Sequence, residues 1–133
     1  MSGPVRLIVV GVDGSAAARA ALDWAVAAGR AFGAEVAAVH AVGVQEAAAG
    51  EAVRAAFEGE WTAGLDEVAH RRLLRYGPPE LALLAAVREL DADLVVVASR
   101  GLGGAAVVGS TSQHLVETCP TPLVIVPGAE RRL

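Results

Sequence analysis

The chain alternates between short continuous apolar runs and longer stretches with helical periodicity. Leu7-Ile8-Val9-Val10-Gly11-Val12 is apolar without interruption and rich in β-branched residues, which marks a strand buried on both faces, as in a parallel sheet. Asp13-Gly14-Ser15 ends it, and Ser15 or a near neighbour is placed to cap the next helix. That helix is predicted over 16–32, with Leu22, Ala25, Val26 and Gly29 on its core face, Trp24 covering its flank and Gly33 as its stop. A second strand is predicted over 35–42, with Val36, Val39 and Val42 as core contacts. Residues 43–50 read as loop or as the ragged start of a helix.

Residues 51–68 form the second long helical pattern. Val53, Phe57, Trp61 and Leu65 recur four apart as a stripe, with Glu51, Glu58, Glu60 and Glu67 as its solvated side. Gly59 and Gly64 count against one unbroken helix. Residues 69–75 read as an edge strand whose Arg71, Arg72 and Arg75 discourage pairing with a foreign chain. Gly77-Pro78-Pro79 is a break, and a helix over 80–90 follows with Leu81, Leu84 and Val87 inward. The Asp91-Ala92-Asp93 turn leads to a fourth strand over 94–98. A glycine-rich stretch, a helix over 110–117, the Cys119-Pro120-Thr121-Pro122 stop and a fifth strand over 123–126 complete the pattern, with 128–133 as a loose tail.

The order β-α-β-α-β-α-β-α-β argues for a single domain over 1–133 of three-layer α/β/α type, with a five-stranded parallel sheet. Two strands end in loops rich in glycine and hydroxyls: the first, at 11–15, and the fourth, at 99–112. In an open α/β sheet the ligand lies beyond the strand carboxyl ends, at the point where strand order reverses. Making these two strands neighbours there yields the Rossmann-like order 3-2-1-4-5.

Composition narrows the chemistry. The chain has 133 residues, 54% of them hydrophobic and 4% aromatic, so Ala, Val and Leu must build the core. It contains no lysine, which excludes a phosphate loop that closes on one. A net charge of −4 argues against nucleic acid as a partner. No apolar run reaches the ~20 residues of a membrane span, and no secretory signal opens the chain; a soluble, cytoplasmic protein is expected. The one cysteine, Cys119, is expected to be a small buried residue.

The stretch 99–112 carries the candidate chemistry. Bare N–H groups at a helix start favour an anion such as phosphate, and glycine allows its close approach. Arg100 inside the loop is a candidate phosphate partner. Ser110 and Ser112 read as helix caps or as phosphate donors, and Asp13 as a turn residue or as an acceptor for a ribose hydroxyl, a base amine or a metal. His40 lies on a strand with no evident partner, His70 and His114 read as surface positions, and Asp91 and Asp93 as turn residues. No Ser-His-Asp or Cys-His arrangement has suitable spacing, so no catalytic residue is assigned.

Taken together, Gly11-Val12-Asp13-Gly14-Ser15, Ala21-Leu22-Asp23-Trp24-Ala25, Gly33-Ala34, Val39-His40, Gly77-Pro78, the 93–97 strand and the 109–126 close resemble a universal stress protein domain over essentially the whole chain. The resemblance implies the five-stranded fold above. It also implies a homodimer paired through Leu123, Val124, Ile125 and Val126, and an adenine nucleotide, ATP, with AMP or a cyclic nucleotide as the variant and Mg²⁺ as accompanying ion.

ATP-binding members carry Gly-x2-Gly-x9-Gly-Ser/Thr after the fourth strand. In this chain Ala98 takes the first glycine's place, and seven residues separate Gly101 from Gly109-Ser110. Two residues span at most ~7 Å, the scale of one phosphate group. The implied binding residues are Val12, Asp13, Gly14 and Ser15 after the first strand; Ala41 and Val42, at the adenine, after the second; and Ser99, Arg100, Gly101, Gly109, Ser110, Thr111 and Ser112 after the fourth. The implied role is regulation in a stress response. The alternative is a homodimer that has lost its nucleotide and works through protein partners. A weak ATPase ranks last, since Asp13 alone could serve as base.

Overall fold

The computed structural model describes residues 4–99 and 110–127. Its elements run β1 Leu7–Gly11, α1 Ala16–Phe32, β2 Glu35–Val42, α2 Val44–Ala47, α3 Gly50–Glu58, β3 His70–Tyr76, α4 Pro79–Leu90, β4 Leu94–Ala98, α5 Ser110–Thr118 and β5 Leu123–Val126. The strands form one parallel sheet in the order β3-β2-β1-β4-β5, as the sequence pattern predicts.

Continuous apolar runs suit this sheet because both faces are covered. On one face Ile8, Val10, Val36, Ala38, Leu94 and Val96 meet Leu22, Ala25 and Val26 of α1 and Phe57 of α3. On the other, Val9, Ala37, Val39, Val95 and Val97 meet Leu83, Leu84 and Val87 of α4 and Leu115 of α5. Each such buried Val, Leu or Ile side chain contributes about 1.5–3 kcal/mol against exposure.

Local signals set the ends of α1. Ser15 is extended and its side chain accepts the Ala18 N–H, while Gly33 closes the helix at φ 68°. Trp24, expected to cover the flank of this helix, is 41% exposed. The two aspartates of the α4–β4 turn have separate structural tasks. Asp91 adopts the left-handed conformation at the end of α4, and Asp93 Oδ2 accepts the Arg6 and Leu7 N–H groups at 2.9 and 3.1 Å, joining the start of β4 to β1.

Three expectations need correction. The helix expected over 51–68 stops at Glu58; Gly59 (φ −115°, ψ −98°) breaks it, and single 3₁₀ turns at Glu60–Thr62 and Leu65–Glu67 follow. Three of the four stripe residues nevertheless join the core, with Phe57 and Leu65 buried and Trp61 packed beside them. In α4, Leu81 is 55% exposed and Leu83 takes the inward position. Leu81 stands about 160° around the helix from Leu83, so a three-residue spacing from Leu84 places it on the wrong side. Cys119 is half-buried against the α4–α5 layer.

At the amino edge of the sheet, Arg71 of β3 reaches Glu35 of β2 with Nε at 2.6 Å and a second guanidinium nitrogen at 3.0 Å. These hydrogen bonds hold the Glu35 carboxyl below its ordinary range. Because the folded value is lowered, the contribution to stability is present at neutral pH and is lost as pH falls through that folded value. Arg71→Ala should therefore flatten the acid limb of thermal stability below about pH 4.3, the ordinary glutamate value; an unchanged limb in a pH series of melting curves would remove this assignment.

Candidate functional site

In this sheet the chain leaves β1 towards β2 and leaves β4 towards β5, so β1 and β4 flank the point where strand order reverses. The carboxyl ends of neighbouring strands diverge there and open a crevice. Val12 to Ser15 form its β1 side, Ala41 and Val42 end β2, and Ser99 follows β4. Thr111 and Ser112 lie in the first turn of α5. Arg100, Gly101, Gly109 and the side chain of Ser110 lie outside the described residues.

The β1 loop is held by its own polar groups. Asp13 Oδ1 accepts the Ser15 N–H at 2.9 Å and the Ser15 hydroxyl at 2.6 Å, an Asx turn. The same Ser15 oxygen accepts the Ala18 N–H at 3.1 Å. Asp13 is thus the turn residue its sequence context allows, half-buried at the crevice. Gly14 takes φ +85°, and a Cβ built on it would stand 2.6 Å from Trp61 Cε2. The indole lies directly on the Gly14 backbone.

On the β4 side, the Ser99 N–H donates to Val126 O at 2.8 Å. Ser112 is buried, and its hydroxyl donates to Ala98 O at 2.5 Å, tying the first turn of α5 to the end of β4. The Ser112 side chain is therefore a clamp on that strand end. Ala41 is half-buried and Val42 buried.

The amino-acid sequence offers His40 no evident partner; the fold supplies several. The ring is 2% exposed. Its Nδ1 lies 2.7 Å from Val12 O and its Nε2 lies 3.2 Å from Glu46 Oε1. It meets Trp61 edge-on at 5.0 Å between centroids and Phe57 at 5.9 Å. Glu46 Oε1 also accepts the Gly43 N–H at 3.1 Å. That contact has the three-residue spacing of the reciprocal arm of a capping box, the one sequence signal that could have singled out Glu46. Cross-chain contacts of His40 have no such local signature.

Among the described residues, no group of three His, Cys, Asp or Glu side chains could hold a metal ion. No described helix is long and apolar enough to cross a membrane.

Five parallel strands between helical layers, with strand order reversing between β1 and β4, define a Rossmann-like α/β protein. The sequence model of the universal stress protein family matches residues 4–127, and the chain belongs to that family. A crystal structure of a universal stress protein in complex with cAMP is 27% identical, with a TM-score of 0.74, covering 94% of this chain and 98% of that one. A protein of the family from Burkholderia pseudomallei is 22% identical, with a TM-score of 0.77 and coverage of 96% and 100%. The universal stress protein from Archaeoglobus fulgidus in complex with dAMP is 19% identical, with a TM-score of 0.70 and coverage of 93% and 99%. No curated protein sequence matches the chain.

Proposed function

We propose that the crevice between the carboxyl ends of β1 and β4 binds an adenine nucleotide and that the chain is a nucleotide-responsive regulatory protein of the stress response. The observation that carries this reading is the convergence of the β1 loop and the start of α5 at the switch point, in a chain 27% identical to a universal stress protein crystallised with cAMP. Asp13, with the backbone around Gly14, forms the β1 wall; Ala41 and Val42 border the base. The phosphate is assigned to the stretch from Ser99 to Thr111, where Arg100, Gly101, Gly109 and Ser110 supply the sequence pattern for it. Ser112 supports this wall through Ala98 rather than through its own hydroxyl.

The two-residue shortening between Gly101 and Gly109 and the Ala98 side chain favour a ligand with one phosphate over a triphosphate. ATP with Mg²⁺ is the form the family resemblance implies, so the two are compared directly. Calorimetry is expected to show saturable binding of AMP or cAMP, with ATP–Mg²⁺ weaker. Stronger ATP binding would reverse the order, and no heat with any of the three at millimolar concentration would overturn the reading in favour of a stress protein working through partners alone. The edge position of β5, whose Leu123, Val124 and Ile125 are half-buried, supports self-association through that strand. Sedimentation of the same samples checks it: a dimer is expected.

A further inference from the structure

His40 joins two elements that border the crevice, and the donors and acceptors around it do not balance for a neutral ring. Val12 O can only accept, so Nδ1 must carry a hydrogen to bond it at 2.7 Å. A neutral imidazole with Nδ1–H presents a lone pair at Nε2. That lone pair would face Glu46 Oε1 at 3.2 Å, an oxygen that already accepts the Gly43 N–H. Two lone pairs facing each other form no bond. The geometry closes when Nε2 also carries a hydrogen. A carboxylate can only accept, and Glu46 Oε1 takes the Gly43 N–H as well, so the bridging hydrogen is placed on Nε2.

We infer that His40 is a proton-dependent positioning residue: doubly protonated, it bridges Val12 O to Glu46 and clamps α2 against the carboxyl edge of the sheet, and on losing the Nε2 proton it keeps Val12 and releases Glu46. The surroundings isolate this contact. From α3 and the 3₁₀ turn after it, uncharged Phe57 and Trp61 meet the ring, and the neighbouring Glu58 and Glu60 are exposed. From the β1 loop, the nearest carboxylate in sequence is Asp13, engaged by Ser15. From β3, Leu74 lies beside His40, while Arg72 is turned to Thr62 and Arg75 to Glu89. Glu46 is thus the one ionisable side chain bonded to His40 among the described residues.

The segment that would be released is lightly held. Helix α2 has four residues and none is buried, and Val44 is 93% exposed. The Glu46 carboxylate, bonded to both His40 and Gly43, is its polar anchor. Because α2 follows directly on Ala41 and Val42, its release changes the base end of the crevice. That last consequence rests on the nucleotide reading above; the clamp itself does not.

The test uses the full chain labelled with ¹⁵N. Imidazole nitrogen shifts of His40 are followed from pH 5 to 9, with amide exchange across residues 43–47 corrected for intrinsic base catalysis. Both ring nitrogens should be protonated at the acid end and Nδ1 alone at the alkaline end. Exchange across 43–47 should accelerate about fivefold through the same transition, the factor one partly exposed charged contact supports. Glu46→Gln separates this from a merely structural role. Its amide can donate to a neutral Nε2, so the variant should retain protection of 43–47 and lose the pH dependence. A ring singly protonated throughout, or a Glu46→Gln exchange profile that follows the native one, would overturn the proposal. Nucleotide affinity, measured in parallel, should fall towards pH 9 in the native chain and stay level in Glu46→Gln. Failure of both chains to bind nucleotide contradicts the proposed ligand and leaves the ring and exchange data to decide the clamp.

Discussion

Gly14→Ala is expected to lower the unfolding free energy by about 2–5 kcal/mol and to weaken the nucleotide binding proposed above. Two costs add. The residue sits at φ +85°, where an L side chain costs about 1–2 kcal/mol. The new Cβ would also stand 2.6 and 2.7 Å from Trp61 Cε2 and Cζ2, and relieving such overpacking costs about 1–3 kcal/mol. The indole cannot yield freely, because it also packs against the α1-side core and meets the buried His40 ring at 5.0 Å. Moving it disturbs the β1 loop and the histidine together.

Gly33→Ala is the natural control. Gly33 has φ +68°, and a Cβ built there meets nothing within 4 Å, so it carries the backbone cost alone. Urea midpoints of the two variants, read by circular dichroism, should differ by the packing cost of Trp61. Equal midpoints would mean that the indole does not press on Gly14.

Phe57→Ala should have the second large effect, about 3–5 kcal/mol, out of the 5–15 kcal/mol that hold a typical domain together. The Phe57 side chain is almost wholly buried in the α1-side core. It is also the single buried residue of α3, so the helix depends on one anchor. Its backbone participates as well: the Thr62 hydroxyl, itself buried, donates to Phe57 O at 2.6 Å and accepts from Arg72 Nε at 2.8 Å. Removal of the ring leaves α3 with no buried side chain and takes one wall from His40. The expected result is therefore regional. Native-state hydrogen exchange should lose protection across 50–58 well before β1 and β4, whose residues are buried on both faces. Uniform loss of protection would show that α3 and the sheet unfold as one unit.

Much of the fold was legible because its signals are local. Parallel strands covered on both faces must be apolar at every position, so β1 and β4 stand out as runs. The bounds of α1 follow from Ser15 and Gly33, each of which acts on backbone groups within a turn of itself. Legibility failed between 50 and 68 for a physical reason. The four-residue spacing of Phe57, Trp61 and Leu65 reports which side chains join the core, and short 3₁₀ turns can satisfy that requirement as well as a helix can. In α4 the abundant alanines carry little contrast, so the pattern finds Leu84 and Val87 on the inward face but adds Leu81 where Leu83 belongs.

For the candidate site, the amino-acid sequence alone determined the two strand ends that meet at the reversal of strand order, and with them the position of Asp13, Gly14 and Ser15. These depend on strand count, strand burial and turn chemistry, all of which act over a few residues. Tertiary structure decided what those residues do. Asp13 spends one carboxylate oxygen on Ser15, Ser112 secures Ala98, and Trp61 presses on the side of Gly14 where a Cβ would stand. Above all, it joined His40 to Val12, 28 positions away, and to Trp61 and Glu46. No periodicity encodes such contacts, because they arise where separate elements converge at one edge of the sheet, and the energy of a buried polar ring depends on which partners meet it there.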